Sequence, residues 1–169
     1  MFSRTQGTIR HRSVKTFLGG ILNFACEPIQ SAWDDLLPLF SRHRTEIDFL
    51  PGQRFAPQRQ RYETMEAVGA YKLFTARVAG RIVGYSGHFV MPHAFLPDTV
   101  WGVQDLIYML PEYRGRPAAR FLVWADLELQ SIGVRVIMRT VNKRLDWSRI
   151  LAKMGYVAEE TGYMKVVGD

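Results

Sequence analysis

The stretch Asp105–Gly133, DLIYMLPEYRGRPAARFLVWADLELQSIG, predicts a strand, a tight basic turn and a long helix. The apolar run Asp105–Leu110 favours a strand, and Pro111 ends it because proline cannot continue a ladder. Pro117 suits a first helical position, where its missing N–H would be unpaired anyway. An apolar stripe at helical spacing follows, and Gly133 ends the helix.

The turn between this strand and this helix has the features of an anion site. Backbone N–H groups at a helix start lack intrahelical partners and lie at the positive end of the helix dipole. Arg114, Arg116 and Arg120 surround that end and suit a multiply charged phosphate ligand. A solvated basic turn explains the same residues equally well, so this geometry alone leaves both interpretations open.

Composition indicates one ordinary globular domain. The chain has 169 residues, of which 47% are hydrophobic, and a formal net charge of +6. Residues 1–26 carry four basic residues and no acidic one, and we assign 1–13 to a basic, flexible tail and 14–169 to a single domain. Such a tail can bind nucleic acid, but charges in a mobile end are more often solvated, so this function ranks low.

The sequence predicts neither a disulfide, a metal site nor a membrane segment. Cys26 is the single cysteine, and the four histidines lack metal-ligand spacing. The apolar run Phe17–Ala25 is too short for a membrane helix of ~20 residues, and a strand over about Gly20–Ala25 explains it better. We therefore expect a cytoplasmic protein.

Hydrophobic periodicity predicts the other elements of the chain. An irregular segment, Arg44–Gln58, follows the first helix. The element order is β-α-α-β-β-β-α-β-α-β-β, which is typical of an α/β or α+β fold with a mixed sheet. The predicted helices are Pro28–His43, Pro57–Val68 and Trp147–Met154, and the predicted strands are Ala70–Ala79, Arg81–Pro92, Thr99–Leu110, Val134–Val141, Tyr156–Ala158 and Tyr163–Val167.

The turn and the element order together resemble the GNAT N-acetyltransferases. Their signature, Arg/Gln-x-x-Gly-x-Gly/Ala between a strand and a helix, is matched by Arg114-Gly115-Arg116-Pro117-Ala118-Ala119, with proline where the family normally has glycine. Gly80–Tyr85 and Lys153–Tyr156 resemble two further family motifs. The resemblance runs from about residue 14 to the end, and it implies a mixed, mostly antiparallel central sheet flanked by helices.

This resemblance implies an acetyltransferase that uses acetyl-CoA as co-substrate and no metal. A primary amine, on a small molecule or a protein, would attack the thioester directly, without a covalent enzyme intermediate. The turn would hold the pyrophosphate, the backbone of Met109 and Leu110 would pair with the pantetheine arm, and a donor near Met109 would polarise the carbonyl. The implied cofactor-binding residues are Met109, Leu110, Arg114, Gly115, Arg116, Pro117, Ala118, Ala119, Arg120 and Asn142.

Three residues are candidates for catalysis or acceptor binding. Small bacterial and phage-encoded GNAT proteins resemble this chain at His43-Arg44-Thr45-Glu46, at Pro92-His93 and at Asp105. Asp105 is a carboxylate on an apolar face, where burial tunes a base, although a structural hydrogen bond is the alternative. Glu46, placed in the long loop, could bind the amine or be solvated. His93 could serve as an acid or base, a role that suits histidine, or be merely exposed.

Two departures from the family pattern keep other functions open. Pro117 removes one phosphate donor, and Leu151 stands where many members have a tyrosine that protonates the leaving thiolate. A catalytically inactive GNAT-fold binding protein is the alternative, followed by a nucleic-acid-binding protein that uses the basic tail. A homodimer is compatible with the resemblance, although no residue identifies one.

Overall fold

A computed structural model of the chain describes residues 12–15, 20–47 and 54–167. A short 3₁₀ turn, Pro111–Tyr113, precedes the third helix. In chain order the strands and helices are β1 Arg12–Lys15, β2 Ile21–Cys26, α1 Ile29–Ile47, α2 Arg59–Ala67, β3 Tyr71–Val78, β4 Arg81–Pro92, β5 Val100–Met109, α3 Arg116–Ser131, β6 Val134–Met138 and α4 Ser148–Lys153.

The strands form one six-stranded sheet whose spatial order follows the chain from β1 to β6. Neighbouring strands pair antiparallel from β1 to β5, and only β5 and β6 pair in parallel within the part that the structure describes. A parallel pair needs a crossover connection, which α3 provides. The predicted mixed, mostly antiparallel sheet is therefore confirmed.

Aromatic side chains pack the helices onto both faces of the sheet. Phe40 of α1 meets Tyr85 of β4 edge-on, with ring centroids 5.1 Å apart. On the opposite face Trp124 of α3 meets Phe74 of β3 edge-on at 5.7 Å. Trp33 and Trp124 are both buried. Burial of such large rings is a major source of the free energy that holds helix to sheet.

The N-terminal half differs from the predicted elements in two places. Helix α1 continues through Pro38 to Ile47, so Glu46 lies in its last turn and not in a loop. Arg12 and Ser13, assigned to the basic tail, belong to β1 and pair with β2. Residues 1–11 of that tail lie outside the described residues.

The C-terminal end lacks the two strands that were predicted there. Tyr156–Ala158 and Tyr163–Val167 have no regular secondary structure. Tyr163 and Val167 are almost fully exposed. Strand propensity reflects packing and pairing more than an intrinsic backbone preference, and these residues pair with no strand in residues 12–15, 20–47 or 54–167.

Candidate active site

The sheet opens between β5 and β6. Strand β5 pairs with β4 along the whole length of β5, from Val100 to Met109, but it pairs with β6 only from Val100 to Val103. The rest of β5, from Gln104 to Met109, therefore has an edge without a described strand partner. This opening, which we call the β5–β6 gap, ends beside the turn that leads into α3.

Backbone hydrogen bonds fix which residues of β5 face the gap. Leu110 donates its N–H to Val83 O at 2.9 Å, and its carbonyl accepts from Tyr113 N–H at 2.9 Å. These bonds leave Leu110 no unpaired backbone group for the predicted contact with a pantetheine arm. Because adjacent residues of a strand point their backbone groups in opposite directions, those of Ile107 and Met109 face the gap.

Glycine at position 115 makes the turn possible. Gly115 has φ 79° and ψ −129°, a conformation essentially restricted to glycine. A Cβ there would meet no atom within 4 Å, so the turn is open toward solvent. The backbone conformation thus requires glycine at position 115, and the exposed peptide groups of the turn remain accessible to a ligand.

The start of α3 leaves backbone donors unpaired. The helix begins at Arg116. Pro117 is therefore its second residue, whereas the sequence predicted it to be the first. Ala119 N–H donates to Gly115 O at 3.0 Å. The N–H groups of Gly115, Arg116 and Ala118 have no hydrogen-bond partner within the described ranges. Together with the helix dipole they form a site suited to an anion.

The arginines of the turn have two different roles. Arg116 and Arg120 are exposed and form no ion pair with any residue that the structure describes. Arg114 instead donates from Nε to Met109 O at 2.9 Å, and its Nη2 lies 2.5 Å from Glu46 Oε2. Arg116 and Arg120 can therefore bind an anion, whereas Arg114 ties the turn to β5 and α1.

Glu46 anchors the end of α1 to the turn. Its Oε1 accepts the hydroxyl of Tyr108 at 2.8 Å, in addition to the ion pair with Arg114. Burial acts to raise the pKa of Glu46, but the hydrogen bonds from Arg114 and Tyr108 outweigh it, and the pKa lies below its ordinary value. Glu46 is thus an ionised structural partner of the turn, and its predicted contact with an amine stays a prediction.

His43 extends this contact from Tyr108 to β4. Its ring stacks on Tyr108 with centroids 5.1 Å apart, and Nδ1 lies 2.7 Å from the Tyr85 hydroxyl. Burial lowers the pKa of His43 to about 4, so the ring is neutral at physiological pH. Sequence reasoning did not identify His43 and the two tyrosines as a network, although His43 and Glu46 form the His-x-x-Glu pattern.

A β-bulge sets the orientation of Asp105. Gly87 of β4 lies opposite Leu106 and His88 lies opposite Gln104, so Asp105 is the extra residue on β5. Bulges re-aim side chains and are common beside active sites. This one directs Asp105 toward the face of the sheet covered by α1 and α2.

Two tyrosines hold one oxygen of Asp105. Tyr62 of α2 and Tyr71 of β3 each donate a hydroxyl to Oδ2 at 3.1 Å. Oδ1 has no hydrogen-bond partner in the described part of the chain. Burial raises the pKa of Asp105 by more than the two hydrogen bonds lower it, so the pKa lies above its ordinary value. This carboxylate can accept a proton more readily than a solvated one.

His93 and Asn142 lie apart from this cluster. His93 stacks on Trp101 at 4.8 Å and accepts Phe95 N–H at 3.3 Å, at the end of β5 opposite the turn. Asn142 follows β6, and its Oδ1 accepts Arg144 N–H at 2.8 Å. The structure therefore brings Glu46 to Arg114, but it does not place His93 with either predicted carboxylate.

No three His, Cys, Asp or Glu side chains of the described residues lie close enough together to hold a metal ion. Across the same residues, no helix has both the length and the apolar character that crossing a bilayer requires.

Comparison with solved structures identifies the fold. A ribosomal-protein-alanine N-acetyltransferase from Brucella melitensis superposes with a TM-score of 0.68 and 18% identity, over 88% of this chain and 99% of that one. A predicted acetyltransferase with acetyl-CoA from Clostridium acetobutylicum has a TM-score of 0.68 and 14% identity, over 86% of this chain and 96% of that one. Glucosamine-6-phosphate N-acetyltransferase from Arabidopsis thaliana has a TM-score of 0.67 and 10% identity, over 87% of this chain and 99% of that one.

Sequence comparison adds no closer relative. No family model matches the chain, and no curated protein matches it. The identities to the solved structures are too low to transfer a substrate, but the agreement of topology over most of each chain is clear. The chain therefore has the fold of the GNAT acetyltransferases.

Proposed function

We propose that the protein is an acetyl-CoA-dependent N-acetyltransferase that transfers acetyl to a primary amine within a ternary complex. The observation that carries this proposal is the β5–β6 gap, which opens beside the unpaired donors of α3 and the free side chains of Arg116 and Arg120. The structural neighbours include acetyltransferases of different acceptors, which supports acetyl transfer in general. The acceptor can be a small molecule or a protein amine.

The residues of the turn fit the phosphates of acetyl-CoA. The N–H groups of Gly115, Arg116 and Ala118 would bind the pyrophosphate, and the Arg116 and Arg120 guanidiniums would neutralise it. Pro117 contributes no donor, which makes this cradle weaker than one with glycine there. When bound, acetyl-CoA supplies the activated acetyl thioester.

The edge of β5 fits the arm of the same molecule. Ile107 and Met109 present backbone groups to the gap, and Arg114 already occupies the Met109 carbonyl. The Met109 N–H therefore remains available to donate to the arm. At about 3.3 Å per residue, β5 leads from Met109 back to Asp105 over about 13 Å.

Asp105 is proposed as the general base. Its unpaired Oδ1 takes the proton that the amine loses as the new C–N bond forms and the thioester C–S bond breaks, directly or through one water. Tyr62 and Tyr71 hold Oδ2 and so orient the carboxylate. The thiolate can leave without a protein acid because a thiol has a pKa of only about 8.5.

Calorimetric titration with acetyl-CoA tests the cradle. We expect binding to the wild type, and its loss in Arg116→Glu, because the substitution places a negative charge beside the phosphates. Arg135→Glu is a matched control, since Arg135 is exposed and lies at the end of β6 that pairs near Val100, away from the turn. Equal binding in all three proteins would reject the assignment.

Turnover is tested by thiol release from acetyl-CoA with a panel of primary amines. Asp105→Asn should bind acetyl-CoA as the wild type does but release thiol at least about a hundredfold more slowly, as expected for loss of a general base. An unchanged rate would remove Asp105 from the mechanism.

A catalytically inactive GNAT-fold binder is the second candidate. Leu151 is buried in α4 and carries no acidic group, and Tyr156 donates its hydroxyl to Asp126 Oδ2 at 2.9 Å. This reading predicts acetyl-CoA binding without thiol release for any amine. Nucleic-acid binding through the basic tail ranks third, and a salt titration of binding to duplex DNA would test it.

A further inference from the structure

A buried arginine lies where β5 and β6 separate. Arg139 directly follows β6, and its side chain is 0% exposed. Its Nη2 lies 2.5 Å from Asp126 Oδ1 of α3, and its Nε donates to the Tyr156 hydroxyl at 3.0 Å. Its Nη1 donates to Gln104 Oε1 at 3.4 Å. A buried guanidinium requires such partners, and these join α3, β5 and the segment after α4 at one point.

Gln104 is the first residue of β5 beyond the parallel ladder. The last described pair of that ladder is Val103 with Met138. Beyond it, Gln104 Nε2 donates to Thr140 O at 3.2 Å. In a continued ladder a backbone N–H of β5 would serve such a carbonyl. A side chain serves it here, so the carboxamide of Gln104 bridges the two segments where the described ladder has ended.

Arg139 fixes the orientation of this carboxamide. Arginine can only donate hydrogen bonds, so the oxygen of Gln104 must face Arg139 and the nitrogen must face Thr140. Asp126 and Tyr156 in turn hold the guanidinium in place. Gln104 is itself 9% exposed, so water does not compete freely for these bonds.

We propose that Gln104 is a positioning residue that sets the width of the β5–β6 gap, and that Arg139 holds it in place. This inference rests on the proposed function, because the gap is the groove assigned to the pantetheine arm. Gln104 acts on the arm alone, since the phosphates bind at the turn beyond the other end of the groove. Its loss should therefore affect ligands that carry the arm and spare those that lack it.

The test compares CoA with ADP, which carries a pyrophosphate but no arm, by calorimetry on wild type and Gln104→Leu. Leucine fills a similar volume but cannot bridge Thr140 and Arg139. We expect CoA to bind about tenfold more weakly because the groove is no longer preorganised, while ADP changes by less than about twofold. Gln130→Leu, an exposed site in α3, is the matched control and should change neither affinity.

A simple loss of stability would lower both affinities together, which would overturn the inference, as would unchanged CoA binding in Gln104→Leu. If the wild type binds neither ligand, the proposed function fails and this inference fails with it. Should Gln104→Leu not fold, Gln104→Asn keeps the amide but is one methylene shorter. The same selective loss of CoA binding is then expected, and its absence contradicts the proposal.

Discussion

The hydroxyl of Tyr71 occupies the space beside Gly87 that a side chain would need: a Cβ built on Gly87 would lie 1.9 Å from Tyr71 Oη. That close approach lets the hydroxyl reach Asp105 Oδ2 at 3.1 Å across β4. Since Gly87 sits directly beside the bulge, the same short segment provides both the orientation of Asp105 and the room for its partner.

Replacing this glycine should disturb the Asp105 site. We expect Gly87→Ala to displace Tyr71 and to lower the free energy of unfolding by about 1–3 kcal/mol, as overpacking does. Urea unfolding measures this, with Gly162→Ala as a control because no atom lies within 4 Å of a Cβ there. Adding Tyr71→Phe should recover part of the loss, since the closest atom is then absent. An unchanged unfolding midpoint would contradict the packing argument.

Asp105→Asn should separate stability from activity. The pKa of Asp105 is raised in the folded protein, so folding binds the proton more tightly and stability falls as pH rises through that raised pKa. Removing the charge should leave the melting temperature at neutral pH equal or higher, while thiol release is lost. The difference in melting temperature between Asp105→Asn and the wild type should shrink as pH approaches 3.8, the ordinary pKa of an aspartate. A variant that melts lower at neutral pH would count against this account.

The ion pair between Glu46 and Arg114 can be measured by a double-mutant cycle. Both side chains are about 30% exposed, so we expect Glu46→Gln and Arg114→Met to couple by only about 0.5–1 kcal/mol. The pKa of Glu46 is lowered on folding, so this coupling is complete above pH 4.5 and is lost as pH falls through the lower, folded value. Coupling that persists in strong acid would require a contact other than this pair.

His43 should make the protein sensitive to acid. Its pKa falls from 6.5 to about 4 on folding, so below pH 6.5 the unfolded chain binds more protons and stability declines. The full effect of such a shift is about 3 kcal/mol. Urea unfolding above pH 6.5 and near pH 4 should show a smaller decline in His43→Gln than in the wild type.

His88 contributes to the same pH window and serves as the comparison. Burial lowers its pKa to about 3, and neither ring nitrogen has a hydrogen-bond partner in the described residues. His88→Met should therefore reduce the acid sensitivity independently of His43→Gln, and the two reductions should add. If both variants kept the full wild-type decline, other groups would have to cause it.

The turn and its helix could be predicted because their signals are local. Pro111 ends a strand, and Gly115 allows the backbone conformation that the turn requires. The apolar stripe of α3 follows within the next turns. The antiparallel meander was equally accessible, because its strands are neighbours in the chain and Gly80 marks a hairpin with φ 80°.

The surroundings of the two carboxylates could not be derived in this way. Tyr62 and Asp105 are 43 residues apart, and Arg114 and Glu46 are 68 apart. Their contacts depend on the register of β4 with β5, including a bulge that shifts every later pairing by one residue. Glu46 was misplaced because the predicted helix ended at His43, whereas α1 continues to Ile47.

Because strand order follows chain order, each new strand from β2 to β5 can pair with one already made as the chain is synthesised. The β5–β6 gap is the exception, since its second wall must wait for the whole of α3. Both the turn before α3 and the strand that carries Asp105 thus precede the second wall of the gap in the growing chain. In a nascent chain, the turn and Asp105 are therefore made first, and the second wall of the β5–β6 gap is made last.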